Sequence, residues 1–261
     1  MTKIYIINYN CSIMTRDKEF YESVGKRIGW DFSKLESRVS VKNQKWDFMS
    51  IVRQYVNNNF ILLDLGTGSG EKILPLAKKC KRVYGIDNSK SMIARAKKNA
   101  LKLGVNNVQL KLGDINHIPF ASSTFDIVIS RHSPINFKEA CRVLKKEGLL
   151  ITQQVGERDK QNIKDVFGRG QSYGKKHGEL IDNYVKKAQN ASFKVLGKDH
   201  YHSSEYYKVP DLIFLLENTP IIPGFNVKKD INRLQIIKNK FKSKLGIRTN
   251  SCRYLLVLKK M

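Results

Sequence analysis

The chain has 261 residues and a formal net charge of +25, enough for one large domain or a domain with a small cap. No run approaches the ~20 apolar residues of a spanning helix, and Asn8, Asn10 and Cys11 break the apolar stretch at residues 1–14, which argues against a secretory leader and against membrane insertion. The four cysteines, Cys11, Cys80, Cys141 and Cys252, are scattered with no C-x-x-C pair, which excludes a disulfide or zinc framework and points to a reduced, cytoplasmic setting.

Three segments follow from texture. Residues 1–57 show helical spacing around Phe20, Val24 and Ile28 and again around Trp46, Met49 and Val52, and are expected to form a helical cap. Residues 58–156 alternate apolar runs with helical stretches, the pattern of a parallel sheet. Strands are expected at Phe60–Asp64, Val83–Asp87, Val108–Leu112, Phe125–Ser130 and Leu149–Thr152. Helices are expected at Lys72–Lys79, Ser91–Leu103 and Phe137–Lys145, with Ser89 or Ser91 as N-cap and Gly104 as a stop. Residues 157–261 are expected to carry acceptor-side elements of the same domain. They read as a glycine-punctuated loop, a helix at Glu179–Gln189 and a sixth strand region from Lys194 to Tyr207. A helix at Asp211–Glu217, an amphipathic helix at Lys228–Lys244 and a closing strand at Tyr254–Leu258 complete the chain. The fold class is α/β: a Rossmann-like, seven-stranded, mostly parallel sheet with helices on both faces and an antiparallel last strand beside the sixth.

The most informative stretch is Leu63–Gly70, which follows a strand and opens a helix. Glycines there permit a tight turn and close approach of a ligand to the main chain. A dinucleotide fingerprint would need a small residue at position 71, which is Glu. The loop reads G-x-G-x-G instead, preceded by Asp64, and an acid beside it disfavours a pyrophosphate and favours a cationic or zwitterionic ligand. Asp87 ends the next strand, where a carboxylate accepts ribose hydroxyls. Asp114 follows the third strand, where an acceptor takes an adenine amine. Together they describe a pocket for an adenosine compound without a phosphate.

These motifs, with Phe125–Ser130 and Arg142–Gly148, make residues 58–152 resemble the class I S-adenosylmethionine-dependent methyltransferases, closest to the type 11, ubiquinone/menaquinone-biosynthesis-like group. The resemblance implies S-adenosylmethionine as cofactor. It implies that Asp64, Gly66, Thr67, Gly68, Ser69 and Gly70 surround the methionine part. Asp87 would hold the ribose, with Asn88 and Met92 beside the adenine. Asp114 would take the adenine amine and Ile115 would donate its backbone N–H. Ser130 and Arg131 would lie where the sulfonium faces the acceptor. Binding without catalysis and an NAD-dependent oxidoreductase are the alternatives from other classes.

Positioning does most of the work in displacing an activated methyl group. A base is needed only for a protonated acceptor, and His132, after the fourth strand, is the candidate. Ser-Arg-His-Ser-Pro at 130–134 lacks the Asn/Asp-Pro-Pro-aromatic motif of enzymes that methylate exocyclic amines of bases, and no Pro-Cys or Thr-Cys nucleophile is present. Lysines outnumber arginines 35 to 13 beside 20 asparagines, a skew that an AT-rich genome produces whatever the protein binds. A small-molecule acceptor is therefore the leading expectation, and structured RNA the runner-up, carried by the charge and by eight Lys/Arg against one Asp at 228–248. Trp30, Trp46, Tyr21, Tyr206, Tyr207 and Phe214 are candidates for lining the acceptor pocket. His200 and His202 share a strand face, but no third ligand is evident in sequence, so no metal is expected. Cys141 reads as a small packed residue.

Overall fold

The computed structural model describes residues 38–261 and, ahead of them, residues 20, 22–24, 26–28, 32 and 35. Tyr21, Trp30 and Cys11 lie outside the described residues. Strands β2 (Ile61–Leu65), β3 (Arg82–Asp87), β4 (Val108–Leu112), β5 (Phe125–Arg131) and β6 (Leu144–Val155) are mutually parallel in the order β4-β3-β2-β5-β6. Strand β9 (Gly246–Lys260) inserts antiparallel between β6 and β7 (Phe193–Tyr207), as expected of the closing strand. Two short strands exceed the expected seven. β1 (Ser40–Lys42) pairs antiparallel with β7, and β8 (Lys242–Ser243) pairs with β9.

The order is what positions a site. It reverses between β2 and β5, and in open α/β sheets ligands bind outside the carboxyl ends of the strands at that crevice. Buried β2 and β5 carry almost unbroken apolar runs, Ile61–Leu65 and Phe125–Ile129, because helices cover both faces. Leu62, Ile127, Ile129 and Val257 meet α1 (Phe48–Tyr55), α2 (Lys90–Lys102) and the 3-10 turn Leu74–Lys79 on one face. Leu63, Val128, Leu256 and Leu258 meet α3 (Phe137–Val143) and α5 (Glu179–Gln189) on the other. A third cluster joins α4 (Gln161–Phe167), α6 (Val209–Asn218) and α7 (Ile231–Phe241) over the far ends of β7 and β9.

Several expectations change. Residues before 58 are not wholly helical, since β1 extends the sheet edge. The segment expected as a helix at Lys72–Lys79 is a turn followed by 3-10 structure; Pro75 supplies no backbone N–H for a longer α-helix. The 228–244 helix shortens to α7, because Lys242 leaves helical geometry to start β8. Leu234 and Ile237 are buried, whereas Ile231 and Leu245 of the expected stripe are exposed. Phe214 packs edge-to-face on Phe32 in the third cluster, so it is core rather than pocket lining. Cys141 is half-buried. Among the described residues no helix is long and apolar enough to cross a membrane.

Leu258 is fully buried where β9 lies between β6 and β7. Leu258→Ala should lower the unfolding free energy by about 2–5 kcal/mol in urea titrations. A loss below about 1 kcal/mol would show that the closing strand lies outside the cooperative core.

Candidate functional site

The glycine loop leaves the end of β2 with left-handed backbone at Gly66 (φ +75°) and Gly68 (φ +55°). A Cβ on Gly66 would collide with the Ser133 side chain, so the β5 loop packs directly against it. A Cβ on Gly68 would meet nothing within 4 Å, so it would project into open space beside the loop. The loop is tied to the end of β3: the N–H groups of Gly66 and Thr67 both donate to Ile86 O at 2.9 Å.

Asp87 completes that tie. Its Oδ2 accepts the Gly68 N–H at 2.9 Å and its Oδ1 the Ser89 N–H at 3.0 Å. Ser89 caps α2, accepting from Met92 N–H, and donates to Glu22 Oε2 at 2.6 Å, which brings the N-terminal segment to the site. Burial raises the Asp87 pKa, the Ser89 and Gly68 N–H groups oppose this, and the Glu22 charge adds to it. Asp64 is 7% exposed, and its pKa is pushed up to about 7. Burial is the main cause; the Thr67 hydroxyl opposes it, the Asp87 charge adds to it, and Arg131 opposes it. Three acids thus converge in a protein of net charge +25.

The remaining expected residues sit around this loop. Ser69 is buried and donates to Glu71 at 3.0 Å, while Asn99 of α2 holds the Ser69 carbonyl at 2.9 Å. Gly70 leads into the 3-10 turn, donating to Thr67 O at 3.0 Å and accepting from Leu74 N–H at 2.9 Å. Met92 is buried and Asn88 exposed. Asp114 is exposed, with Oδ1 taken by the Asn116 N–H at 2.8 Å, and Ile115 packs against the α5-side core. Ser130 is buried and its hydroxyl donates to Ser133 O at 3.1 Å.

Strand register sorts the wall beyond the loop. Asp64 lies opposite Ile129 and Arg131 opposite Gln153, while Tyr201 lies opposite Arg253, so all share the α1 face. Tyr201 meets Trp46 edge-to-face at 4.6 Å. Arg253 pairs with Asp159, and Lys160 pairs with Glu205 at 2.6 Å. His132 has left-handed backbone (φ +57°), its N–H donates to Gln153 O at 2.9 Å, and its Nε2 lies 2.6 Å from Gln153 Nε2. His132 is exposed as a residue, yet desolvation of its ring, then the charges of Arg131, Arg253, Lys72 and Lys160, lower its pKa well below the usual value, which keeps it neutral at pH 7. Tyr207 is buried against Glu205 and Tyr206 faces the other side of β7 under Lys42, so among the described aromatic candidates Trp46 is the one placed beside this wall.

Sequence reasoning missed Glu22, Ser133, Gln153 and Arg253, which reach the site only through tertiary contacts. It also missed a third imidazole. The loop before α5 brings His177 to His200 and His202 on the α5 face. A shallow hollow of about 380 Å³ between Asn58, Cys80 and Asn107 lies at the opposite end of β2 and β3, away from this chemistry.

The chain matches the methyltransferase-domain family over residues 57–208 and belongs to that family. Its sheet and glycine loop are those of the class I, S-adenosylmethionine-dependent branch. It is 35% identical over 130 residues to a ubiquinone/menaquinone biosynthesis C-methyltransferase of Rickettsia massiliae, covering 44% of this chain and 52% of that protein. It is 32% identical over 149 residues to a release factor glutamine methyltransferase of Buchnera aphidicola, covering 51% and 53%. The chain thus spans about half the length of these relatives. Among solved structures, YcgJ of Bacillus subtilis aligns with TM-score 0.59 at 18% identity over 81% of this chain and 97% of that one. The [4+2]-cyclase SpnF aligns with TM-score 0.55 at 16% identity over 95% and 94%. At these identities the structures show a shared fold.

The raised Asp64 pKa predicts a pH signature. Its folded value lies above the ordinary 3.8, so the folded chain binds the proton more tightly than the unfolded one, and stability falls as pH rises from about 4 through about 7. Asp64→Asn should remove that slope and raise stability at pH 8, by at most about 4 kcal/mol. Parallel pH dependences of parent and variant in thermal melts would sink this assignment.

Proposed function

We propose that this chain transfers a methyl group from S-adenosylmethionine to a small-molecule acceptor. The observation that carries the cofactor half is the acid-lined glycine loop: two carboxylates, buried Asp64 and half-buried Asp87, beside a Gly68 whose missing side chain leaves open space. A cationic, hydroxyl-rich adenosine ligand fits such a donor-poor, acid-rich pocket, and a pyrophosphate does not. Asp87 keeps lone pairs beyond those taken by Gly68 and Ser89, which suits it to ribose hydroxyls. Asp64 beside Arg131 suits the zwitterionic methionine part. Thr67, Ser69 and Gly70 shape the loop, Met92 and Ile115 offer apolar contact to an adenine, and Asn88 and Asp114 offer polar groups at its edge.

Bound S-adenosylmethionine supplies a methyl group already activated on a sulfonium. What the protein adds is placement and exclusion of water. In this reading residues 58–156 hold the cofactor, and the wall of Trp46, Tyr201, Arg131 and Arg253 orients the acceptor. His132, held neutral and oriented by Gln153, takes the proton of an acceptor that carries one. The named function of the Rickettsia relative, C-methylation in quinone biosynthesis, supports a small acceptor. The exposed lysines of α7 lie over the third cluster, on the far ends of β7 and β9.

Labelled S-adenosylmethionine offered with a small-molecule extract and, separately, with total RNA tests the reading. Label should enter the small-molecule fraction, with turnover nearly independent of salt. His132→Ala should lower kcat by about 10²–10⁴ with KM little changed if the acceptor is protonated. Label in RNA, with affinity falling at a log–log salt slope of about −0.7 to −0.9 per phosphate contact, would overturn the acceptor assignment.

A further inference from the structure

Three imidazoles, two from β7 and one from the loop before α5, meet on the α5 face of the sheet, and we propose that they bind one divalent first-row metal ion, zinc by the chemistry of the set. Alternation along β7 puts His200 and His202 on one face, opposite Tyr254 and Cys252 of β9. The loop ahead of α5 lowers His177 onto them. One ligand nitrogen from each lies within 4.8 Å of the others, and the ring centroids are 5.1–5.9 Å apart. Zn–N bonds of about 2.0–2.1 Å in a tetrahedron need nitrogens roughly 3.3 Å apart. All three side chains are exposed, so small χ rotations close that gap without disturbing the core.

A second observation points at a cation. Glu157, 1% exposed, lies directly behind the cluster. Its Oε1 accepts from Tyr254 Oη at 2.5 Å and Gly178 N at 2.5 Å, and sits 3.2 Å from His177 Nδ1. Its Oε2 is buried with no hydrogen-bond partner among the described residues. A carboxylate on one imidazole nitrogen fixes the tautomer and presents the other nitrogen, with its lone pair, to a metal. An ion at the three imidazoles would add positive charge on the side of this buried carboxylate away from Lys164, whose Nζ donates to the Glu157 backbone carbonyl at 2.5 Å. Three imidazoles suit zinc, copper, nickel or iron and do not suit magnesium or calcium.

The site is separate from the glycine loop, since Asp64 and Arg131 lie on the opposite face. Its ion ties the glycine-rich 168–178 segment and the start of α5 to β7. Its fourth position faces solvent and takes water or a small anion.

The test uses the purified full chain stripped with chelator and titrated with Co²⁺ as a visible probe. One equivalent should bind with tetrahedral or five-coordinate ligand-field bands, be displaced by Zn²⁺, and raise the melting temperature by mass action. His200→Ala and His202→Ala should each abolish the bands while leaving circular dichroism and S-adenosylhomocysteine binding unchanged. Glu157→Gln should weaken Co²⁺ binding about 10–100-fold. The absence of saturable binding at micromolar Co²⁺, or binding that persists in the His200→Ala/His202→Ala double variant, would overturn the proposal whatever the chain methylates.

Discussion

The Asp87 carboxylate is the fixed point of the site. One oxygen holds the Gly68 N–H and the other the Ser89 N–H, so a single side chain joins the glycine loop, the end of β3 and the first turn of α2. Charge-assisted bonds to a half-buried carboxylate are stronger than neutral ones, and cutting them would leave partly buried donors and acceptor unmatched. Gly68 cannot adopt its left-handed turn elsewhere without losing that bond, and Ser89 cannot cap α2 if the end of β3 shifts. The open space beside Gly68 is therefore held open by a rigid frame rather than by a flexible loop.

The two faces of the sheet carry opposite electrostatic tasks. On the α1 face, Asp64, Asp87 and Glu22 gather negative charge at the loop, and Arg131, Arg253 and Lys160 gather positive charge along the neighbouring wall. Asp159 and Glu205 pair with the last two cations, and Glu205 is held down to about 2, since the charges of Lys160 and Arg253 outweigh its burial. Such a network orients polar side chains at the cost of their desolvation, which suits the acceptor-orienting role proposed for this wall. On the α5 face deeply buried Glu157 lies behind the three imidazoles. The net charge of +25 is thus not expressed at the glycine loop, where Asp64, Asp87 and Glu22 gather.

What the sequence disclosed was local. Leu63–Gly70 turns within eight residues, and Ser89 caps the helix that begins at its neighbour, so both follow from short-range geometry. The β2 and β5 runs are apolar on both sides because helices cover both faces, and this was readable without knowing which helices. What stayed hidden depends on long-range docking. Glu22 reaches Ser89 across 67 residues, and His177 meets His200 and His202 through a loop whose glycines give no periodicity. Glu71 discriminated the ligand class from sequence, yet the packing of Ser133 on Gly66 required the fold. The β1 strand escaped notice because three exposed residues at a sheet edge carry no alternation of burial. The spacing of Lys72–Lys79 suits an α-helix, but Pro75 removes a backbone N–H and the segment forms 3-10 structure.

The central claim is that the glycine loop binds an adenosine sulfonium compound rather than a dinucleotide. Calorimetric titration of the purified chain and of Gly68→Val with S-adenosylhomocysteine and with NAD tests it most directly. The account predicts one site for S-adenosylhomocysteine, none for NAD, and loss of the site in Gly68→Val, where a β-branched side chain meets positive φ and fills the open space. Normal S-adenosylhomocysteine binding by a folded Gly68→Val, or saturable NAD binding by the parent chain, would contradict it.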